Sequence, residues 1–495
     1  MMNKKQGSKV VYYISLIVTF VIVIWGILGK DSFEAAANGL YKFLTLNFGW
    51  SYLLSMFLFV GFAIFLAFSK YGDIKLGPDD SEPDFKTSSW FAMLFGAGMG
   101  IGLVFWGVAE PLNHYIAPPF GIQGGTPEAA NFAMKQSFMH WGFHPWANYS
   151  IIGLALAYFQ FRKNKPGLIS SIFIPLIGEE RVNGPIGKMI DIFAVFATVA
   201  GVATSLGLGT MQINGGLNYL FGLPKTTVVQ VSIIAIVTLI YIWTAVTGIE
   251  KGIKLLSDIN LVTAIALLGL TILIGPTIKI INSFTNGVGM YMSGFIRDSF
   301  HIEPFGDNKW IGDWTVFYWA WWIAWAPFVG TFIARISRGR TIKEFIIGVI
   351  VAPSVASFVW FAAFGTLGID LGVGAASEAA QVTETALFVV MKQYPLGNII
   401  SLIAVFLLCT FFITSANSAT FVLGMFTSNG DLNPSNSKKI VWGVVQALLA
   451  LALLLAGGLK TLQIGSVAAA FPFIFVMIFA CISLVKALSN DEKFS

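Results

Sequence analysis

The sequence predicts an all-α integral membrane protein with twelve transmembrane helices. Of its 495 residues, 56% are hydrophobic and only 11% are charged, and the mean hydropathy of +0.76 lies outside the range of soluble domains. Apolar runs long enough to cross ~30 Å of hydrocarbon as helices recur along the whole chain. We place the twelve spans near residues 10–30, 50–70, 89–110, 138–161, 187–210, 228–248, 256–277, 314–334, 345–368, 397–420, 440–458 and 466–486.

The basic residues predict the orientation. Lys and Arg are retained on the cytoplasmic side of a membrane, and with twelve spans both termini share the side that holds most of the 30 basic residues. We therefore expect a multi-pass protein of the cell membrane with cytoplasmic termini. The net charge of +5 then reflects topology and not binding to nucleic acid. The first apolar run is too long for the core of a signal peptide, so we expect it to be a retained span.

Residues for redox, metal or enzymatic chemistry are sparse. Cys409 and Cys481 sit in separate apolar segments and offer neither a disulfide framework nor a metal-ligand spacing. His140 and His144 lie four residues apart but have no acidic companion on their helix, so we expect them at the membrane interface and not as metal ligands. The sequence thus predicts no transition-metal site, no cofactor and no enzyme.

A tryptophan cluster is the most informative motif. Residues 311–330 read IGDWTVFYWAWWIAWAPFVG and contain five of the 15 tryptophans. Indole faces attract a quaternary ammonium without offering a carboxylate that would also admit metal ions. Trp322 and Trp325 are three apart and share a helix face. The alternative is anchoring at the lipid headgroups, but five tryptophans exceed what an anchor needs.

A run of glycines interrupts the third span. Gly96, Gly98, Gly100 and Gly102 alternate within FGAGMGIG, which opposes a continuous helix. Unwound backbone in a membrane must be buried or line a cavity, although close helix packing through small residues also explains glycines. The break in span three precedes the tryptophan segment in span eight by five spans. This is the offset expected if the chain contains two repeats of five spans, and in membrane proteins built this way the binding site lies between the repeats near the membrane midplane.

Three further patches add candidate ligands. Hydroxyl and amide oxygens, which suit sodium, cluster in two apolar helices at Thr198, Thr204, Ser205, Thr414, Ser415, Asn417 and Ser418. The alternative is that these hydroxyls bond to their own helix backbone. The fourth span adds the aromatic set Trp141, Trp146 and Tyr149 around Pro145. Trp141 is also the best candidate for an interfacial anchor.

Two charged features have structural and functional readings. Glu110, the acidic residue near the glycine break, is either a proton relay or a helix cap near the external end of its span, and we expect the structural role. The loop ARISRGRTIKEF carries Arg335, Arg338, Arg340 and Lys343. It is expected to meet lipid headgroups or to act as a cytoplasmic latch.

Taken together, these motifs resemble the betaine/choline/carnitine transporter family. The resemblance rests on GMGIG with the following AEPL, WGFHPWANY, YWAWWIAWAPFVGTFIARISRGR and FFITSANS, and it is greatest to bacterial sodium-coupled glycine betaine importers. It implies a LeuT-like 5+5 inverted repeat in spans three to twelve, two additional N-terminal helices, Na⁺ as coupling ion and a homotrimer in the lipid bilayer. The implied segments are 1–88, 89–278 (first repeat), 279–313 (an external linker with an amphipathic segment), 314–486 (second repeat) and 487–495.

The resemblance also implies site residues. For a betaine they are Trp321, Trp322, Trp325, Trp141, Trp146, Tyr149, Gly98, Met99, Gly100 and Gly102. For sodium they are Gly96, Met99, Phe411, Thr414 and Ser415, with Thr198 and Phe328 at a second site.

Three departures refine the expectation. Val202 replaces the hydroxyl expected four residues after Thr198, which questions the second sodium site. Gly102 stands where choline-preferring relatives typically carry Asp, which favours a zwitterion. The chain stops shortly after Lys486, so osmotic regulation by a long basic tail is not expected.

The hydroxyls of Thr414 and Ser415 favour symport over sodium-independent carnitine or betaine antiport, while choline transport remains an alternative. A ligand-binding receptor or channel is the alternative from another class.

Overall fold

The computed structural model describes residues 4–98, 100–247 and 250–491, and these residues are almost entirely helical. The helices are α1 (Lys4–Leu28), α2 (Lys30–Phe68), α3 (Thr87–Gly98), α4 (Ile101–Ile116), α5 (Pro127–Trp141), α6 (Phe143–Ala157), α7 (Ile174–Asn183), α8 (Pro185–Phe221), α9 (Thr227–Thr247), α10 (Glu250–Ile274), α11 (Thr277–Ser299), α12 (Lys309–Ile311), α13 (Phe317–Arg335), α14 (Ile342–Asp370), α15 (Gly372–Ala380), α16 (Ala386–Met391), α17 (Gly397–Phe426) and α18 (Asn436–Ser489). Within the described ranges the one extended pairing is a single bridge between Lys75 and Thr341.

Fewer helices than the twelve expected are individually long and apolar enough to cross a membrane. In the described part of the chain there are nine, or ten if the bent pair α3 and α4 counts as one span. The expected fourth span is divided at Gly142 into α5 and α6, of 15 residues each. The expected last two spans both lie in α18, which is two helical stretches joined by a kink where Gly457 and Gly458 leave helical geometry.

Helices α8 and α13 form the centre of the bundle. In α13, 94% of the most apolar stretch is buried, against 22% in α9 and α10. A helix that is apolar on all sides is stable only inside a protein or a membrane. The tryptophan-rich α13 is therefore surrounded by protein, whereas α9 and α10 turn most of their surface outward.

The glycine break expected in the third span is present. Helices α3 and α4 meet at an angle of 67°, and Gly100 adopts an extended conformation with φ −141° and ψ −151° just before α4 begins. Met99, a candidate for both the substrate and the sodium site, lies outside the described residues. The amide of Leu103 donates to the Gly100 carbonyl at 3.1 Å, which starts the first turn of α4.

The basic loop after α13 is anchored to the segment before α3. The buried Arg340 guanidinium lies 4.0 Å from the Trp90 ring centroid and donates to the Phe85 carbonyl at 2.9 Å. The Leu76 amide donates to the Arg340 carbonyl at 2.8 Å. Of the two expectations for this loop, these contacts support the latch, because Arg340 is turned into the protein and away from any headgroup.

Candidate functional site

The middle of α13 meets the end of α5 in a compact aromatic cluster, formed by Trp141, Tyr318, Trp321 and Trp322. The rings of Trp321 and Trp322 are stacked with centroids 4.9 Å apart and an interplanar angle of 15°. Trp141 meets the Trp322 ring edge-on at 4.8 Å. All four side chains are buried. The expected tryptophans thus come together from two helices that are far apart in sequence.

Tyr318 belongs to this cluster although sequence reasoning did not select it. Its ring is stacked with that of Trp322 at 5.9 Å and lies 5.7 Å from that of Trp141. The spacing of four residues between Tyr318 and Trp322 is the signal that identifies a shared helix face.

The remaining predicted aromatic residues occupy two different places. Tyr149 meets Trp322 edge-on at 6.3 Å, and Trp146 lies against Tyr149 at 5.6 Å, so both extend the cluster along α6. Trp325 instead packs on Phe328 at 5.4 Å, close to Gly201 of α8. Three residues of helix leave a rotation of about 60° between side chains, which turns Trp325 away from the face of Trp322.

Gly102 provides the close approach that the cluster requires. A Cβ atom at this position would lie 2.6 Å from Cη2 of Trp321 and 3.1 Å from Cη2 of Trp141. The glycine run is therefore in direct proximity to the aromatic rings. Gly100 also faces α17, because a Cβ there would lie 3.8 Å from the Ser415 hydroxyl.

A buried carboxylate supports the cluster from α4. Glu110 Oε2 accepts hydrogen bonds from Trp141 Nε1 at 2.8 Å and from the Tyr318 hydroxyl at 2.6 Å, and Glu110 Oε1 lies 2.6 Å from His140 Nδ1. The expectation of a helix cap was wrong, since the carboxylate binds side chains of α5 and α13. Its partners are distant in sequence, and the only available signal was a carboxylate within an apolar span.

The expectation that His140 and His144 lie at the interface was also wrong, because both are completely buried. The acidic partner of His140 comes from α4 and not from its own helix. His144 Nε2 lies 3.0 Å from the Ser299 hydroxyl, and its ring is stacked on that of Trp319 at 4.8 Å. Both rings therefore fill positions inside the bundle.

Two cavities lie toward opposite ends of α13. One has a volume of about 580 Å³ and is bordered by α5 and the start of α12, with Lys135, Gln136, Trp310 and Thr315 in its wall. The other, of about 550 Å³, is bordered by α3, α10, α13 and α17. We call them the α5 cavity and the α17 cavity. The aromatic cluster lies on α13 between Thr315 of the first and Phe328 of the second.

Most of the predicted sodium residues line the α17 cavity, namely Gly96, Phe411, Thr414, Ser415 and Phe328. The Thr414 hydroxyl accepts a hydrogen bond from Asn260 Nδ2 at 3.1 Å. The Asn260 Oδ1 atom is buried and has no hydrogen-bond partner among the described residues. Asn260 also lines the cavity, together with Ser257 and Asp258 of the same helix, and sequence reasoning selected none of the three.

Some of the predicted polar residues follow the backbone-bonding alternative: Thr414 itself donates to the Thr410 carbonyl of its own helix at 3.1 Å. Thr198 donates to the Ala194 carbonyl at 2.8 Å, and Thr204 contacts both the Leu462 carbonyl and the Ser466 hydroxyl at 2.8 Å. Asn417 donates to the Tyr241 carbonyl at 3.2 Å. Thr204 and Asn417 therefore connect helices, and neither lines the α17 cavity.

Comparison with known proteins decides the family. The family described as "BCCT, betaine/carnitine/choline family transporter" matches residues 10–493. The chain belongs to this family. A glycine betaine transporter of Bacillus subtilis, OpuD, is 51% identical over 98% of this chain and 95% of its own length.

Two further relatives differ in the substrate that their names state. A probable glycine betaine transporter of Desulfitobacterium hafniense is 45% identical, and an ectoine/hydroxyectoine transporter of Virgibacillus pantothenticus is 44% identical. Each match covers 99% of both chains. As a BCCT protein, the chain is a membrane transporter and not an enzyme.

Proposed function

We propose that this BCCT protein imports glycine betaine together with Na⁺ by alternating access. The observation that carries the proposal is the buried cluster of tryptophan faces between two cavities. Such faces attract the trimethylammonium group by cation–π contacts of about 0.5 to 2 kcal/mol each. Relatives named as glycine betaine transporters, covering almost the whole chain, support the same substrate.

The proposed topology has twelve spans, with α1 and α2 preceding a LeuT-like 5+5 inverted repeat. In this arrangement α3 and α4 together form one broken span, and α5 and α6 form another. Helix α18 contains two spans joined at Gly457 and Gly458. The repeats keep the boundaries 89–278 and 314–486, with α11 in the linker between them. Both termini are cytoplasmic, and the assembly is a homotrimer in the cell membrane.

For the substrate, we assign the trimethylammonium group to Trp141, Trp321 and Trp322, with Trp146 and Tyr149 along the path. Trp325 is the predicted box residue that must turn or shift to join them. The carboxylate of the betaine is directed to backbone N–H groups of the glycine break around Gly98, Met99, Gly100 and Gly102. Amides in the first turn of a helix lack intrahelical acceptors and carry the positive end of its dipole.

Alternating access follows from the separation of the two cavities. The Trp322 ring centroid lies 4.8 Å from that of Trp141 and 4.9 Å from that of Trp321, and the Trp141 and Trp321 centroids are 6.3 Å apart. These rings must separate to admit a trimethylammonium group. The α5 cavity is the external approach and the α17 cavity the cytoplasmic exit, so that a rocking bundle opens one while the aromatic cluster closes the other.

Sodium is proposed as a transported substrate. Its first site consists of the carbonyls of Gly96, Met99 and Phe411 with the hydroxyls of Thr414 and Ser415. Oxygen ligands without a full charge suit a cation that must also be released. A second site near Thr198 and Phe328 has a weaker basis, because Val202 supplies no oxygen and Thr198 does not line the α17 cavity.

Ectoine uptake is a second candidate, favoured by the relative whose name states that substrate. Ectoine carries a delocalised cation and a carboxylate. Its cation would bind to the aromatic rings and its carboxylate to the backbone amides, as proposed for glycine betaine. Sodium-independent carnitine or betaine exchange and choline transport are the alternatives within the family. A receptor or channel remains the alternative of another class.

Uptake of labelled glycine betaine into proteoliposomes tests the proposal. With an inward sodium gradient we expect accumulation that unlabelled glycine betaine abolishes. A potassium gradient of the same size is the control for the ion. Accumulation that is equal in both gradients, or that requires substrate loaded inside the vesicles, would contradict sodium symport and indicate exchange. Unlabelled ectoine and choline, each added as competitor, separate the substrate alternatives.

A further inference from the structure

We propose that Glu110, His114 and His140 form a binding site for a divalent transition metal such as Zn²⁺, and that the bound ion inhibits transport. One oxygen of Glu110 and one nitrogen of each histidine lie within 4.8 Å of one another, and all three side chains are completely buried. Two imidazoles and a carboxylate are a common donor set for zinc. Glu110 and His114 lie four residues apart on α4, and α5 contributes His140, which is distant in sequence.

His114 supplies the independent observation that points to a ligand. Neither of its ring nitrogens has a hydrogen-bond partner in the part of the chain that the structure describes. Its Nε2 atom lies 3.5 Å from Glu110 Oε1. Buried polar groups without partners are uncommon, because each loses its hydrogen bonds to water. A metal ion held jointly with Glu110 would satisfy the Nε2 lone pair.

The two ligand distances that involve Glu110 need little adjustment, whereas the two histidine nitrogens lie within 4.8 Å of each other and must approach further. Ligand atoms around a tetrahedral zinc ion lie roughly 3.3 to 3.5 Å apart when the bonds are about 2.0 to 2.1 Å. The separation of 3.5 Å between His114 and Glu110 already fits. The pair Glu110 and His140, at 2.6 Å, shares a proton in its hydrogen bond. When the ion binds Nδ1, the proton of the neutral imidazole moves to Nε2, and the pair opens by roughly 0.7 Å.

The surroundings supply an outer shell and a route. Thr315 Oγ1 lies 3.0 Å from His140 Nε2. Once Nδ1 binds a metal, Nε2 carries the ring's proton, and Thr315 can accept a hydrogen bond from it. Such partners orient metal-bound imidazoles and strengthen binding. Thr315 and Gln136 both contact His140 and both line the α5 cavity. An ion and a fourth ligand from water can therefore approach through that cavity.

Inhibition follows from the position of the site beside the aromatic cluster. Glu110 accepts hydrogen bonds from Trp141 and Tyr318, and the His140 carbonyl accepts one from Trp322 Nε1 at 3.0 Å. A bound dication would repel the cationic group of a substrate among these rings. This consequence rests on the proposed function, whereas metal binding itself does not.

Visible absorption of Co²⁺ tests the site directly. The full chain, purified in lipid nanodiscs, is titrated with CoCl₂, and tetrahedral coordination produces strong visible bands that ZnCl₂ removes. We expect His114→Phe, which keeps an aromatic ring beside Trp314, to weaken Co²⁺ binding at least tenfold. His301→Phe is the matched control, because His301 pairs with Glu303 in a more exposed position and also lines the α5 cavity.

The outcomes are distinct. Absence of tetrahedral bands, bands that persist in His114→Phe, or bands lost only in His301→Phe would each overturn the site. If His114→Phe does not fold, Thr315→Val keeps all three ligands and should weaken Co²⁺ binding severalfold, and unchanged affinity would count against the site.

Inhibition has its own test, because Zn²⁺ should also lower the affinity for glycine betaine, measured by tryptophan fluorescence. Metal binding without this effect would overturn the inhibition alone, and failure of sodium-driven uptake leaves the spectra unaffected.

Discussion

The Glu110 carboxylate accepts a hydrogen bond from the indole nitrogen of Trp141 at 2.8 Å. Glu110 is thereby the residue of α4 that holds an aromatic ring contributed by α5. The same oxygen also accepts from Tyr318 of α13. Three helices thus meet at one carboxylate, which fixes the relative positions of the rings.

Replacement of Glu110 by Gln should weaken glycine betaine uptake about tenfold or more. The side-chain amide of glutamine has only one acceptor oxygen. Its NH₂ group must therefore point either toward the donors of Trp141 and Tyr318 or toward His140. Losing a hydrogen bond to a charged group is worth roughly 1.5 to 3 kcal/mol, and about 1.4 kcal/mol corresponds to a factor of ten. Concentration-dependent uptake in proteoliposomes measures the effect. Glu378→Gln, at an exposed position of α15, is the control, and equal behaviour of the two variants would refute a supporting role.

Trp322→Leu should remove most uptake while the protein remains folded. The Trp322 ring is stacked on Trp321 and its indole nitrogen bonds to the His140 carbonyl. Leucine keeps the position apolar but is smaller and provides no aromatic face for a cation. Binding of glycine betaine to the purified protein measures the loss. Trp243→Leu serves as control because Trp243 is 60% exposed on α9. Normal binding by the Trp322 variant would exclude a tryptophan box at this position.

Gly102→Ala should impair transport severely. The added Cβ would lie 2.6 Å from Trp321 and 3.1 Å from Trp141, so the rings or the helix must move. We expect uptake to fall more than tenfold, because the cluster loses its arrangement. The matched control is Gly269→Ala in α10, where a Cβ meets nothing within 4 Å. Uptake near the level of that control would show that the rings tolerate displacement.

Thr414→Val should raise the sodium concentration for half-maximal uptake by about tenfold. Valine keeps the branched shape but removes one oxygen ligand, and a contact to a charged group is worth roughly 1.5 kcal/mol or more. The sodium dependence of uptake at fixed glycine betaine provides the measurement. Ser418→Ala changes another hydroxyl in the wall of the α17 cavity and should have a smaller effect. An unchanged sodium dependence in Thr414→Val would argue against this ion site.

Asp491→Asn should lower the stability of the protein by about 1 to 3 kcal/mol. The buried Asp491 accepts hydrogen bonds from Arg162 at 2.7 and 2.8 Å and from the Tyr158 hydroxyl at 2.6 Å. Its hydrogen bonds raise the pKa of Arg162 above the usual value. Thermal unfolding in detergent measures the change. Asp79→Asn removes a more exposed partner of the same Arg162, for which about 1 kcal/mol or less is expected. Equal destabilisation by both variants would contradict this ranking.

The sequence predicted the helical membrane class and selected the candidate site residues. The period and length of the apolar runs depend only on local composition, so hydropathy identified α8, α13 and α17 directly. Alternating glycines likewise predicted the break between α3 and α4, because helix propensity is a local property. Hydropathy could not recognise that Gly142 divides a span, since this feature depends on backbone geometry.

What the tertiary structure alone decided is which side chains meet. By itself the sequence determined that aromatic, glycine and hydroxyl residues occupy particular spans, since those patterns are local. Helix spacing places Tyr318 beside Trp322 and turns Trp325 away, but that Trp325 meets Gly201 of α8 and Trp322 meets Trp141 of α5 was decided by packing between helices. The sequence did not reveal the meeting of Glu110 with Trp141 and His140. Hydrogen bonds between distant helices depend on distances of a few ångströms, which spacing along the chain does not encode.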